Sequence, residues 1–115
     1  MTEHIMKLQP SPMEKIRTGR KTIELRLLDE KRKLISVGDT IKFVNAQMPA
    51  DTLSVTVKEL FIFDSFRELY NHLPLMDCGY TEDELSTASP ADMELYYSKE
   101  EQAQYGVVGI RIALL

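Results

Sequence analysis

Four segments of this chain alternate polar and apolar residues with a period of two, the pattern of strands that bury one face. Thr22-Ile23-Glu24-Leu25-Arg26-Leu27 is strict; Thr40-Ile41-Lys42-Phe43-Val44 and Leu53-Ser54-Val55-Thr56-Val57 follow it, and His4-Ile5-Met6-Lys7-Leu8 alternates more loosely. Leu60-Phe61-Ile62-Phe63 either extends the 53–57 strand or bends out of it as a bulge. Gly106 to Leu114 is strongly β-branched and reads as a long closing strand. Helical signals are short and lie mostly in the middle. Ser11 as a cap before Pro12 predicts a helix over 12–18, stopped by Gly19. Asp64 or Ser65 caps a helix over 66–73, with Phe66, Leu69, Tyr70 and Leu73 on one stripe. Thr81-Glu82-Asp83-Glu84 reads as a capping box opening a helix near 82–87, and Ser98-Lys99-Glu100-Glu101 as another. Between them Ser89-Pro90 opens a helix with Met93, Tyr96 and Tyr97 on its apolar side. This order predicts an α+β fold: a small antiparallel or mixed β-barrel of about five to six strands with short helices packed around it.

Parity along 22–27 separates two faces. Ile23, Leu25 and Leu27 share one, while Thr22, Glu24 and Arg26 share the other. Leu25, Val55, Val57, Val108 and Ile110 are therefore expected to face the barrel core, and Glu24 and Arg26 to face a cleft.

The chain has 115 residues, and no repeat or linker-like tract divides it, so one domain over 1–115 is expected. Apolar residues make up 43% and charged residues 28%, which argues against disorder. No apolar run reaches the ~18 residues of a membrane-spanning helix. The opening MTEHIMKLQPSPMEK has no basic head and apolar h-region, so no secretory signal is expected. Cys78 is the only cysteine, which makes a disulfide framework impossible and a cytoplasmic chain the simplest reading. Charge is divided unevenly. Ten Lys and Arg against six acids leave residues 1–45 at +4, whereas four against twelve leave 46–115 at −8. A local anionic ligand is compatible with that distribution, but a long double-stranded polyanion is not expected.

Few residues suggest chemistry. His4, His72 and Cys78 show no metal-ligand spacing, so no metal and no cofactor are expected. Cys78 reads better as a partly buried structural thiol than as a nucleophile served by His72. No dinucleotide-binding or P-loop glycine pattern occurs. The informative segment is Gly19-Arg20-Lys21-Thr22-Ile23-Glu24-Leu25-Arg26, which gathers three cations and one carboxylate in a turn leading into a strand. Such a cluster suits an anionic or hydrogen-bond-rich ligand, with Lys as a point charge and Arg as a planar fork. It equally suits a solvated strand face carrying a surface ion pair, which contributes about 0–1 kcal/mol to folding. If the segment is a ligand site, replacing Lys21 or Arg26 by Ala is expected to weaken binding or turnover while barely changing stability, since an exposed pair contributes so little.

The same segment reads GxKxxExR and resembles the signature of the ASCH domain family, with Gly19, Lys21, Glu24 and Arg26 in place. The similarity extends through Val37-Gly38-Asp39-Thr40-Ile41, Ser65-Phe66-Arg67-Glu68-Leu69-Tyr70, Cys78-Gly79-Tyr80-Thr81 and Tyr105-Gly106-Val107-Val108-Gly109-Ile110, as in small stand-alone bacterial ASCH proteins. The resemblance implies a PUA-like β-barrel with a cleft floored by the motif and a function in binding RNA or nucleotides. Some small members are hydrolases. In the N4-acetylcytidine amidohydrolases a Lys of this motif acts with a Thr at the position of Glu24 and with a more distal Glu. Here Lys21 matches, a carboxylate replaces the Thr, and the distal acid falls by rough alignment on Asp77.

Two readings follow. The first is a binding module for RNA or a nucleoside-like small molecule, with Gly19, Arg20, Lys21, Glu24 and Arg26 as ligand residues. Tyr70, Tyr80, Tyr96, Tyr97 and Tyr105 then offer a base-stacking surface. The second is an amidohydrolase or ribonuclease acting on a modified nucleoside or RNA. Lys21 and Glu24 would be its catalytic pair, Glu24 activating water and Lys21 or Arg26 stabilising an oxyanion.

Overall fold

The β-branched C-terminal segment becomes a strand inside a five-stranded sheet, flanked on both sides. In the computed structural model, which describes residues 1–115, the elements run β1 (Glu3–Leu8), α1 (Pro10–Arg17), β2 (Ile23–Leu27), β3 (Thr40–Asn45), β4 (Thr52–Phe63), α2 (Phe66–His72), α3 (Ala91–Glu94), α4 (Lys99–Tyr105) and β5 (Val107–Leu114). The sheet order is β1-β3-β4-β5-β2. β1 runs parallel to β3, and every other neighbouring pair is antiparallel. β4 serves two neighbours, its first half pairing with β3 and most of its length with β5. The register slips between Val57 and Glu59, so Lys58 is the extra residue of a bulge. An inserted residue bends a strand and increases its twist, which helps the sheet curl into a half-barrel.

That curl brings the two sheet edges together. Arg26 Nη2 on β2 donates to the Lys7 carbonyl of β1 at 2.8 Å, and Lys31 Nζ donates to the Ile5 carbonyl at 3.0 Å. Side-chain cations thus cap carbonyls along the β1 edge that no sixth strand satisfies.

Apolar side chains divide between two cores. Met6, Ile41, Phe43, Val55, Val57, Val108, Ile110 and Ile112 pack with Met13 and Ile16 of α1 inside the curl. Ile23, Leu25, Leu27 and Val107 pack on the other side of the sheet, against Phe66, Leu69 and Leu73. The expectation for Val55, Val57, Val108 and Ile110 holds, but Leu25 belongs to the second core. Cross-strand register explains this: Glu24 stands opposite Ile110 and Arg26 opposite Val108, so the polar residues of β2 share the inner face and Leu25, opposite Gly109, takes the outer one. Gly109 makes room there for Leu73: a Cβ would lie 2.7 Å from Leu73 Cδ1 and 3.3 Å from Ile23 Cγ2, so one of them would have to shift.

Several boundaries differ from the sequence reading. α1 begins at Pro10, with Gln9 rather than Ser11 as its cap, since either proline satisfies the first turn. The capping box at Thr81 opens only a 3₁₀ turn, Glu82–Glu84, instead of a helix to 87. α3 is a single turn. Ser65 caps α2 and Ser98 caps α4 as expected, accepting from the Glu68 and Glu101 amides. No helix is long and apolar enough to cross a membrane.

Candidate functional site

Glu24 lies on the polar face of β2, opposite Ile110 of β5, and is only 3% exposed. A buried carboxylate must be paired or it will not remain ionised. Lys21 Nζ lies 2.8 Å from Oε1, and Arg26 Nε donates to Oε2 at 2.8 Å. Burial pushes the Glu24 carboxyl up, but the charges and hydrogen bonds of Lys21 and Arg26 outweigh it and hold the group at about 2. Burial likewise lowers Arg26, and Glu24 together with the Tyr97 side chain more than offsets this, so the guanidinium is raised. The three form a buried triad, not the exposed ion pair that charge patterning alone permits. Removing one member therefore strands charge in the interior, and the expectation of unchanged stability does not hold.

Local sequence explains the convergence. Glu24 and Arg26 share a face because they are two apart on a strand. Lys21 precedes the strand, where the Gly19 turn at φ +80° redirects the chain. The Asp77 carbonyl accepts from the Thr22 and Ile23 amides at 2.8 and 2.9 Å, tying the 77–79 segment over the strand entrance. Gly79 leaves room for Lys21: a Cβ at this position, where φ is +108°, would sit 3.1 Å from Lys21 Cδ.

The triad floors a cleft of about 610 Å³, within the size range of small-molecule sites. Lys7, Lys15, Tyr70, Tyr80, Glu84, Asp92, Tyr96 and Tyr97 stand around it. Lys15 Nζ donates to the Gly79 carbonyl at 2.8 Å. On one wall Tyr80 donates to Asp92 at 2.7 Å, and its oxygen lies 2.6 Å from the Tyr70 hydroxyl. Burial and the neighbouring Asp92 push Tyr80 well above the ordinary tyrosine range, so it stays a hydroxyl. Tyr97 stacks on Phe66, and Tyr96 is 70% exposed at the rim.

Of the residues singled out by sequence, Lys21, Glu24 and Arg26 meet in this cleft. Gly19 and Arg20 do not line it: Gly19 shapes the turn, and the Arg20 side chain reaches Thr18 at 3.0 Å on an exposed surface. Asp77 also lies off the cleft, whose other acids are Glu84 and Asp92. Four of the five tyrosines line it, whereas Tyr105 packs beside the second core. Cys78 is buried, and burial pushes its thiol up to about 11, a protonated and unreactive form. His4 pairs with buried Asp39 at 2.8 Å, and His72 stacks on Phe63, so neither reaches the cleft. No three His, Cys, Asp or Glu side chains gather as a metal site. Sequence reasoning missed Lys7, Lys15, Glu84 and Asp92, which come from four separate segments; only the glycine in Cys78-Gly79-Tyr80 signalled a close approach.

A model of the ASCH domain matches residues 6–115. Among solved structures, the hypothetical protein PH0355 is similar with a TM-score of 0.81 and 32% identity over 100% of both chains. Protein PF0455 from Pyrococcus furiosus is similar with a TM-score of 0.72 and 34% identity, over 99% of this chain and 98% of its own. The ASCH protein from Zymomonas mobilis has a TM-score of 0.68 at 13% identity, over 97% of this chain and 67% of that one, a likeness of fold alone. No curated protein sequence matches significantly.

Proposed function

We propose that this chain, which belongs to the ASCH domain family, binds a nucleoside, free or displayed by single-stranded RNA, in the cleft above Lys21, Glu24 and Arg26. The observation that carries the reading is the buried triad at the floor of a tyrosine-lined cleft. Fixed charges offer directional hydrogen bonds to a base or sugar, and aromatic rings offer it a face. Around the cleft Lys7, Lys15, Lys21 and Arg26 are balanced by Glu24, Glu84 and Asp92. That near-balance favours a small ligand or a short loop over a duplex. The lone buried thiol suits a reducing, cytoplasmic setting.

The hydrolase alternative asks Glu24 to accept a proton from water. A carboxylate held at about 2 by two cations has little affinity for one near neutral pH. Recognition is therefore the better use of the triad. Calorimetry with nucleosides and short single-stranded RNAs tests the reading, beside incubation with N4-acetylcytidine followed by chromatography. Saturable binding without turnover supports it; turnover of the acetylated nucleoside replaces it with the amidohydrolase, and no binding refutes it.

A further inference from the structure

The cleft floor presents a hydrogen-bonding sequence whose order is fixed. Lys21 Nζ and Arg26 Nε lie 2.8 Å from opposite oxygens of Glu24, so across the floor the carboxylate stands between two cations, whose N–H groups facing it are spent on it. Ammonium and guanidinium groups have no acceptor, and an ionised carboxylate has no donor. With its carboxyl held at about 2, Glu24 stays ionised across the physiological range. Each member also keeps capacity for a ligand. The Lys21 ammonium has N–H groups beyond the one facing Glu24, and each Glu24 oxygen has a second lone pair. Arg26 uses Nε on Glu24 and Nη2 on the Lys7 carbonyl and has the Tyr97 side chain beside it, so Nη1 is the donor it turns to a ligand.

We propose that the cleft selects a uracil-type base, its imide edge facing Lys21, Glu24 and Arg26 with one carbonyl on each cation and the N3–H on the carboxylate. This deepens the nucleoside reading and rests on it. Uracil presents acceptor, donor, acceptor along that edge, the complement of the floor. Cytosine sets its unprotonated ring nitrogen against the Glu24 carboxylate and its amino group against a cation. Guanine matches at two positions and sets an amino group against the third, a cation. Adenine has no carbonyl on this edge. Each mismatch leaves a desolvated charge without its partner, the situation in which a polar site discriminates most strongly. Tyr96, 70% exposed at the rim, is available to the face of the base.

The test is calorimetry on the unmodified protein with uridine, cytidine, adenosine, guanosine and 3-methyluridine, in which a methyl group replaces the N3 hydrogen. A second arm uses short oligouridine and oligocytidine, to cover recognition within a strand. Uridine, or oligouridine, is expected to bind roughly 10- to 100-fold more tightly than its competitors, the ratio for one hydrogen bond to a charged group. Equal affinity for uridine and 3-methyluridine, or a preference for another base, overturns the uracil assignment and leaves the nucleoside reading standing. Absence of binding by every nucleoside and both oligonucleotides overturns the two together.

Discussion

Arg26→Ala measures what the buried triad contributes to the fold. The substitution removes one of two counterions from a carboxylate that is 3% exposed, together with the 2.8 Å bond to the Lys7 carbonyl at the meeting of the sheet edges. Breaking a buried ion pair from one side costs about 3–5 kcal/mol, and because Lys21 remains, the lower end applies. The lost bond to the β1 edge adds roughly 1 kcal/mol. At about 3–6 °C per kcal/mol for a chain of this length, the melting temperature should fall by roughly 12–24 °C. The sign with pH is fixed. The folded Glu24 carboxyl titrates at about 2, below its ordinary 4.5, so its contribution is complete above pH 4.5 and is lost as pH falls toward 2. In the variant one counterion is gone while burial persists, and the carboxyl moves upward. The deficit should therefore be largest near neutral pH and narrow below about pH 4.5 as the stranded carboxylate is protonated. Thermal melts from neutral to acid pH read both quantities, and a double-mutant cycle with Glu24→Gln isolates the pair. A fall of less than about 2 °C at neutral pH, or a deficit that does not change with pH, would refute the reasoning.

Gly79→Ala combines an unfavourable backbone at φ +108° with a contact of 3.1 Å to Lys21 Cδ. It should lower stability by about 1 kcal/mol or more and weaken uridine binding, read by melts and calorimetry on the same sample. Gly109→Ala places a Cβ 2.7 Å from Leu73 Cδ1 and should lower the urea midpoint by an amount corresponding to about 1–3 kcal/mol, without affecting nucleoside affinity per folded molecule. Asp39 is held at about 2, chiefly by its hydrogen bond to His4 and then by the Ser36 and Thr2 amides. Since its ordinary value is 3.8, its contribution is present above pH 3.8 and is lost toward 2. Asp39→Asn should melt below the parent at neutral pH and converge with it in acid; parallel curves would show that the charge is not the cause.

The strands were legible because period-two alternation is a direct consequence of the pleat, and 23–27, 40–44 and 53–57 all became strand. Leu25 shows where that signal stops. Alternation states which residues share a face but not what covers each face, and here both faces of β2 are covered, one by the half-barrel interior and one by α2. Helix ends were less legible: Pro10 and Pro12 both satisfy a first turn, and the 81–98 region has too few apolar positions to support more than single turns. The remaining walls of the cleft were not legible. Lys15 meets Gly79, and Tyr70 meets Tyr80 and Asp92, only because α1, α2 and the 77–92 segment converge there, and no local pattern encodes that convergence.

The triad itself was readable because its spacing is geometry. Glu24 and Arg26 must be an even number of residues apart to share a strand face, and two is the closest such spacing. Lys21 lies three residues before Glu24, an odd separation that would send its side chain to the opposite face if the strand continued back to it. β2 instead begins at Ile23, after the Gly19 turn, and Lys21 approaches Glu24 from outside the strand. A strand extended to Lys21 would leave Glu24 one counterion short. Turn and alternation are therefore two parts of one device: the glycine frees the lysine from parity, and parity brings the arginine to the same carboxylate. Because β2 is the last strand of the sheet, that device lies where β1 offers carbonyls without a pairing strand, so Arg26 closes the barrel edge with the same side chain that completes the cleft floor. On the proposed nucleoside reading, folding and recognition meet in that one residue, and its replacement should move both together.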